Sequence, residues 1–127
     1  IVEIGARNGG YRERMHALAN GIDITGAALS IALGETPNIQ ATKNDACAVL
    51  ELFPKTPGVF ENISHYEALL ALPSTRYASI KAVPGGQIGK SADGFKAVLI
   101  LILANADAEQ FAADLEFVNT QVRVVTA

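Results

Sequence analysis

The stretch from Ile1 to Arg14 reads IVEIGARNGGYRER and joins a short apolar strand to a helix through a pair of glycines. Side chains alternate along a strand, so Glu3 faces away from its two apolar neighbours. Arg7 follows four residues later, where a loop can direct it toward the same place as Glu3. Gly9 and Gly10 leave backbone amides free to approach a ligand closely. The sequence therefore predicts an acid, an arginine and a glycine turn gathered at one place.

Spacing alone leaves two interpretations of Glu3 and Arg7 open. A carboxylate suits Mg²⁺, which commonly binds one or two carboxylates together with substrate phosphate oxygens. An arginine can give paired hydrogen bonds to a phosphate or to a developing oxyanion. The alternative is an ion pair at the end of the strand, or two unrelated surface charges. Arg12 has a similar ambiguity, because it could bind a substrate carboxylate or be solvated in the first turn of the helix.

Composition limits the classes of protein to consider. With 127 residues, half of them hydrophobic, the chain suits one globular domain with a real core. A net charge of −3 gives no basic stripe, so neither nucleic acid nor an anionic membrane is an expected partner. The longest apolar run, Ala97 to Ala104, is too short to span a bilayer. Cys47 is the only cysteine, which excludes an internal disulfide and is compatible with the cytoplasm.

Hydrophobic periodicity predicts two helices after the glycine pair. The first begins near Tyr11 and ends at Asn20-Gly21, a pair typical of helix ends. Asp23 is a suitable N-cap for the second helix, which Gly34 ends. Residues 35–45 carry no period and are predicted to be a loop.

The remaining chain carries the signals of strands joined by turns. Ser64 and Glu67 match the spacing of a capping box at the start of a short helix, and Asp107 is a suitable N-cap for a last helix. Pro84-Gly85-Gly86 and Asp93-Gly94 are turn signals. The predicted strands are Ala46 to Phe53, Arg76 to Val83 and Phe95 to Leu103, and Val122 to Val125 closes the chain as a strand or a tail. Strands joined by turns as well as by helices favour an α+β fold with a mostly antiparallel sheet and flanking helices.

One motif imitates a phosphate-binding loop. The run from Gly85 to Ser91, GGQIGKS, ends like G-x-x-x-x-G-K-[ST], but the first glycine of that motif falls on Pro84. Such a loop must also open a helix, whereas Phe95 onward is predicted to be a strand. We therefore interpret the run as a hairpin connection with a solvated Lys90.

The run from Val2 to Gly10, VEIGARNGG, resembles the last catalytic strand of the ATP-grasp ligases, which in the amino-acid ligase branch often reads E-[IV]-N-x-R-x-G-G. The later segments also resemble that family and its biotin-carboxylase-like branch. They are a GID turn at residues 21–23, a helix ending in ALG at 32–34, and a C-terminal subdomain with a proline-glycine turn, a strand and an acidic helix at 84–118. The resemblance implies that residues 1–34 end the catalytic core and that residues 35–127 form the C-terminal α+β subdomain, the two making one compact unit.

The resemblance also implies roles for the opening residues. Glu3 matches the Mg²⁺-binding glutamate, and Arg7 matches the arginine that steadies the acyl phosphate or tetrahedral intermediate. Gly9 and Gly10 match the substrate-side loop and are the candidate cofactor-binding glycines. Gly5 stands where the family usually has an asparagine, a second metal ligand, so the two-metal arrangement is in doubt.

The implied parent protein is an ATP-dependent carboxylate-amine ligase that uses ATP and Mg²⁺ and passes through an acyl phosphate. Its partners would be small-molecule carboxylate and amine substrates. The lysines that clasp ATP would precede Ile1, so we expect a fragment that is inactive alone and binds neither cofactor tightly. A carboxylase-like enzyme acting on bicarbonate or a nucleotide precursor is one alternative, and a non-catalytic binding or assembly module is another. We also expect a homo-oligomer, associating through the edge at 1–5 or the face at 95–103.

Overall fold

The structure is a computed structural model and describes residues 10–127. The predicted first strand lies outside this range. The helices are α1 (Arg12–Asn20), α2 (Ile24–Ala32), α3 (Tyr66–Ala71) and α4 (Ala108–Gln121). The strands are β1 (Ala46–Leu52), β2 (Gly58–Ile63), β3 (Thr75–Ile80), β4 (Gln87–Ile88), β5 (Leu99–Asn105) and β6 (Val124–Thr126), with a single 3₁₀ turn at Ser91–Asp93.

The strands of residues 10–127 form two three-stranded sheets, in the orders β1-β5-β3 and β4-β2-β6. Every strand pairing within residues 10–127 is antiparallel. The mixed fold with antiparallel sheets and flanking helices that the sequence predicts is therefore confirmed.

Strand β5 is the centre of the first sheet and is buried on both faces. Leu99, Leu101 and Leu103 are fully buried and join the main core with side chains of the second sheet and α4. Ile100 and Ile102 point the other way, toward the side of the sheet that α1 contacts. Burial on both faces explains why this strand is apolar at nearly every position.

Three predicted helix boundaries are confirmed by their hydrogen bonds. Asp23 accepts from the amide of Gly26 at 2.9 Å, and Asp107 accepts from the amides of Glu109 and Gln110 at 2.9 and 3.1 Å. Gly21 ends α1 with a φ of 71°, and its amide donates to the carbonyl of Ala17. These signals are local, since each cap lies within four residues of its partner.

The capping box predicted at Ser64 and Glu67 is wrong. Helix α3 follows His65, which has a φ of 54° and gives no side-chain cap. The hydroxyl of Ser64 instead donates to the carbonyl of Gln121 at 2.9 Å and accepts from the amide of Arg123 at 2.8 Å. The local pattern assigned the Ser64 side chain to α3, but it forms its hydrogen bonds with the end of α4, which is distant in sequence.

The strands also differ in extent from the prediction. Strand β2 was not predicted, and the strand expected from Phe95 begins only at Leu99. The Phe95 ring lies against Gly89, where any added Cβ would collide with it. Because Gly89 has no Cβ, the Phe95 ring can pack against it. Residues 94–96 therefore lie over the turn at Gly89 instead of extending β5. Lys90, in that turn, is exposed as expected.

Self-association was expected through the edge at 1–5, which lies outside the described residues, or through the face at 95–103. In that face residues 97–103 are buried, whereas Phe95 is 41% exposed. Leu29, Ile31 and Leu33, in and just after α2, are instead 61–66% exposed. Within residues 10–127, the helices are too short or too polar to cross a membrane.

Candidate functional site

The predicted catalytic strand falls outside the described residues. Glu3, Arg7 and Gly9, together with Gly5, all precede residue 10. Their convergence, and the roles assigned to them, therefore remain predictions. Gly10 and Arg12 are the two predicted site residues that the structure places.

Gly10 and Arg12 line a cavity of about 450 Å³ beside the start of α1. Gly10 has a φ of 54°, and a Cβ added there would meet nothing within 4 Å. The turn is thus open on its outer side, and the backbone is accessible to a ligand. Arg12 is exposed as the first residue of α1. The cavity is also lined by Tyr11, Met15, Val49 and Glu51.

An aromatic and cationic cluster fixes the start of α1 on the sheet. The rings of Tyr11 and Tyr77 are tilted, with centroids 5.8 Å apart. The guanidinium carbon of Arg14 lies 4.4 Å from the centroid of the Tyr77 ring. Aromatic pairs and cation–π contacts are both attractive, so these two contacts hold the turn before α1 against strand β3.

Glu51 is an acid that lines the same cavity as Gly10 and Arg12. It pairs with Ile100 across the sheet and shares the face of Val49, which alternation places under α1. It is exposed, although it belongs to a strand that is otherwise apolar. Glu51 and Tyr11 both line a second cavity as well, so the two cavities adjoin. A lone charge in an apolar strand was the signal that could have predicted this residue as part of a site.

The second cavity has a volume of about 550 Å³ and includes Lys81. A hydrogen-bonding interaction with Tyr77 is the main cause that raises the pKa of Lys81. The pKa of Tyr77 is lowered chiefly by a side-chain hydrogen bond with Ser79, and further by Lys81. Lys81 therefore stays positively charged at neutral pH, beside the two tyrosines.

Other candidate residues have structural explanations. The ring nitrogen Nδ1 of His16 lies 3.3 Å from the side-chain amide nitrogen of Asn20, one turn further along α1. Burial raises the pKa of the Cys47 thiol, which disfavours the reactive thiolate. Among residues 10–127, no group of three or more His, Cys, Asp or Glu side chains could hold a metal ion. Neither His16 nor Cys47 is therefore assigned a role in the described part of the site.

Comparison with solved structures identifies proteins that share this fold. No protein family model matches the sequence, and no curated protein matches it either. Among solved structures, an L-amino acid ligase from Bacillus licheniformis matches 99% of this chain with a TM-score of 0.80 and 16% identity. A phosphoribosylglycinamide synthetase from Anaerococcus prevotii matches 92% with a TM-score of 0.64 and 12% identity.

The match covers only part of each of these proteins. This chain spans 34% of the amino acid ligase and 30% of the synthetase, about a third of each. The chain therefore shares its fold with one portion of each of these two enzymes.

Proposed function

We propose that this chain is the C-terminal part of an ATP-dependent carboxylate-amine ligase that works through an acyl phosphate. The observation that carries the proposal is the match of nearly the whole chain to an L-amino acid ligase at a TM-score of 0.80. The sequence from Val2 to Gly10 supports it independently, because the glutamate, arginine and glycine pair follow the spacing of the resembling catalytic strand.

The donor set of this chain fits a Mg²⁺ ion only in part. Glu3 supplies one hard carboxylate oxygen donor, and Gly5 supplies no side-chain donor at all. One carboxylate suffices where phosphate oxygens and water complete the octahedron, but the resulting site is weak on its own. When bound, the ion would neutralise charge on the phosphates of ATP. We therefore assign Glu3 as one ligand among several and propose no second metal at Gly5.

The other residues of the opening stretch would position substrate. Arg7 would give paired hydrogen bonds to an oxyanion, stabilising negative charge as it develops. Gly9 and Gly10 would let backbone amides approach the ligand, and the open space beside Gly10 is compatible with that role. Arg12 lines the same cavity as Gly10 and would bind a substrate carboxylate.

We propose that the chain does not catalyse the reaction by itself. Positioning and charge neutralisation are the protein's contribution to such a reaction, and both depend on surrounding a nucleotide. In the described cavities the cations are few, and the acids do not cluster. The remaining parts would come from the rest of a cytoplasmic parent protein.

A second candidate is an ATP-grasp enzyme acting on bicarbonate or a nucleotide precursor. The match to phosphoribosylglycinamide synthetase, at a TM-score of 0.64, favours this alternative over others. Phosphate release from ATP by the full-length protein distinguishes the two. Release that depends on pairs of amino acids supports the amide ligase, whereas release that depends on bicarbonate or on a nucleotide precursor supports the alternative.

The assignment of Glu3 and Arg7 is tested by Glu3→Gln and Arg7→Met in the full-length protein. Each should lower kcat/KM for ATP-dependent ligation about a hundredfold, because each removes charge stabilisation at the reacting groups. Glu61→Gln is the matched control, since Glu61 is an exposed acid on β2. Ligation at the wild-type rate in Glu3→Gln would contradict the assignment.

A further inference from the structure

Three cavities share lining residues, beginning with the one beside the start of α1. The cavity at Gly10 shares Tyr11 and Glu51 with the 550 Å³ cavity. That cavity in turn shares Lys81 and Lys96 with a third one, of about 340 Å³, beside the turn at residues 83–87. The result is a groove with an acid toward the glycine turn and two lysines toward the other end.

We propose that the middle cavity binds a small organic anion, with its head group at Lys81 and Lys96 and its apolar body against Phe53 and Phe95. All four side chains line this cavity. A carboxylate and a phosphate share the chemistry that the lysines would recognise. The inference does not depend on ligase activity, because it concerns binding by this chain alone.

The lysines are available to such a ligand. Among residues 10–127 the only ion pair within 4.0 Å joins Lys43 and Asp45, so neither Lys81 nor Lys96 is neutralised by an acid there. Lys96 makes no hydrogen bond to another described residue. Lys81 lines the cavity together with Tyr11, and interaction with Tyr77 raises its pKa, so its side chain stays charged.

The volume and lining of the cavity determine which ligand fits beyond the anionic head group. Its volume of about 550 Å³ lies in the range of small-molecule sites, which combine apolar walls with a few polar groups. Phe53, Phe95 and Ile100 give the apolar walls, and Ser91 adds a hydroxyl. Glu51 would repel a second negative charge, so we expect one anionic head group at the lysine end.

Titration of the chain followed by NMR tests this inference, with phenylacetate as the probe. Amides of Ala97 and Ile100 should shift saturably, and Lys81→Met and Lys96→Met should each raise the Kd about tenfold by removing a charged hydrogen bond. Lys90→Met is the matched control, because Lys90 is an exposed lysine just outside the cavity lining. Lys96→Arg keeps the charge and should retain binding, which separates loss of charge from loss of fold.

Two further ligands identify the recognised chemistry. Benzyl alcohol, which lacks the charge, should bind at least about tenfold more weakly than phenylacetate. Inorganic phosphate should compete only weakly, since it lacks the apolar body. Equal binding of benzyl alcohol, binding of phosphate without phenylacetate, or unchanged affinity in both lysine variants would overturn the proposal. The assay contains no ATP and measures no ligation, so its failure leaves the proposed ligase function unaffected.

Discussion

Asp114 is a buried acid of α4 that connects this helix to the first sheet. It is 4% exposed, and one carboxylate oxygen accepts from the buried amide of Ser74 at 2.9 Å. The other accepts from the side-chain amide of Gln110 at 2.8 Å. Ser74 in turn accepts from the side chain of Asn105 at the end of β5. A buried polar group is favourable only when it is paired, so these partners depend on one another.

We expect Asp114→Ala to lower the free energy of unfolding by about 2–3 kcal/mol, because it leaves the buried Ser74 amide without its acceptor. Asp114→Asn keeps an acceptor oxygen and should cost less, about 1 kcal/mol. Urea denaturation measures both. Glu116→Ala, at an exposed position of the same helix, is the control and should stay within about 0.5 kcal/mol of wild type. An equally small change in Asp114→Ala would contradict the role assigned to this acid.

Only some of the residues that line the cavities of the candidate site could be predicted from the sequence. Gly10 and Arg12 were predicted from their position after a strand, and they line one cavity. Glu51 and Tyr11 were not predicted as site residues, although each lines two cavities. Their proximity depends on α1 folding across β1, a contact between segments some forty residues apart in sequence. No local spacing encodes such a contact.

At the scale of elements, the hydrogen bonds that join Ser64, just before α3, to the end of α4 can be tested directly. Ser64→Ala should lower the free energy of unfolding by about 1–2 kcal/mol, because it removes both hydrogen bonds to the segment at Gln121 and Arg123. Glu67→Ala should change it by less than about 0.5 kcal/mol, since Glu67 is exposed and caps nothing in α3. Chemical denaturation of the two single variants and the double variant measures both effects. A capping box would instead make both single variants costly and couple them in the double variant.

Elements with local signals were predicted, and those that depend on distant partners were not. The caps at Asp23 and Asp107 were correct because each aspartate bonds to amides two or three residues away. Strand β2 was missed because Glu61 and Asn62 interrupt its apolar pattern just where the register with β6 is irregular. Its pairing with β4 and β6 stabilises β2 as a strand, although its own sequence carries no clear strand pattern.

At the scale of the whole molecule, burial is unevenly distributed. Strand β5 is buried along nearly its whole length and lies between β1 and β3. Helix α2 has no fully buried residue and makes its main contact with α1. Because local opening is easiest where few apolar contacts are lost, α2 should open without the rest of the protein.

Hydrogen exchange of the backbone amides tests this division. Amides of α2 should exchange at least about a hundredfold faster than those of β5, which open only when the whole molecule unfolds. Leu101→Ala should lower the free energy of unfolding by about 3 kcal/mol, because Leu101 is fully buried in the core. It should therefore speed exchange in β5 and leave α2 unchanged. Equal acceleration in both would mean that α2 opens only with the core and is no separate cooperative unit.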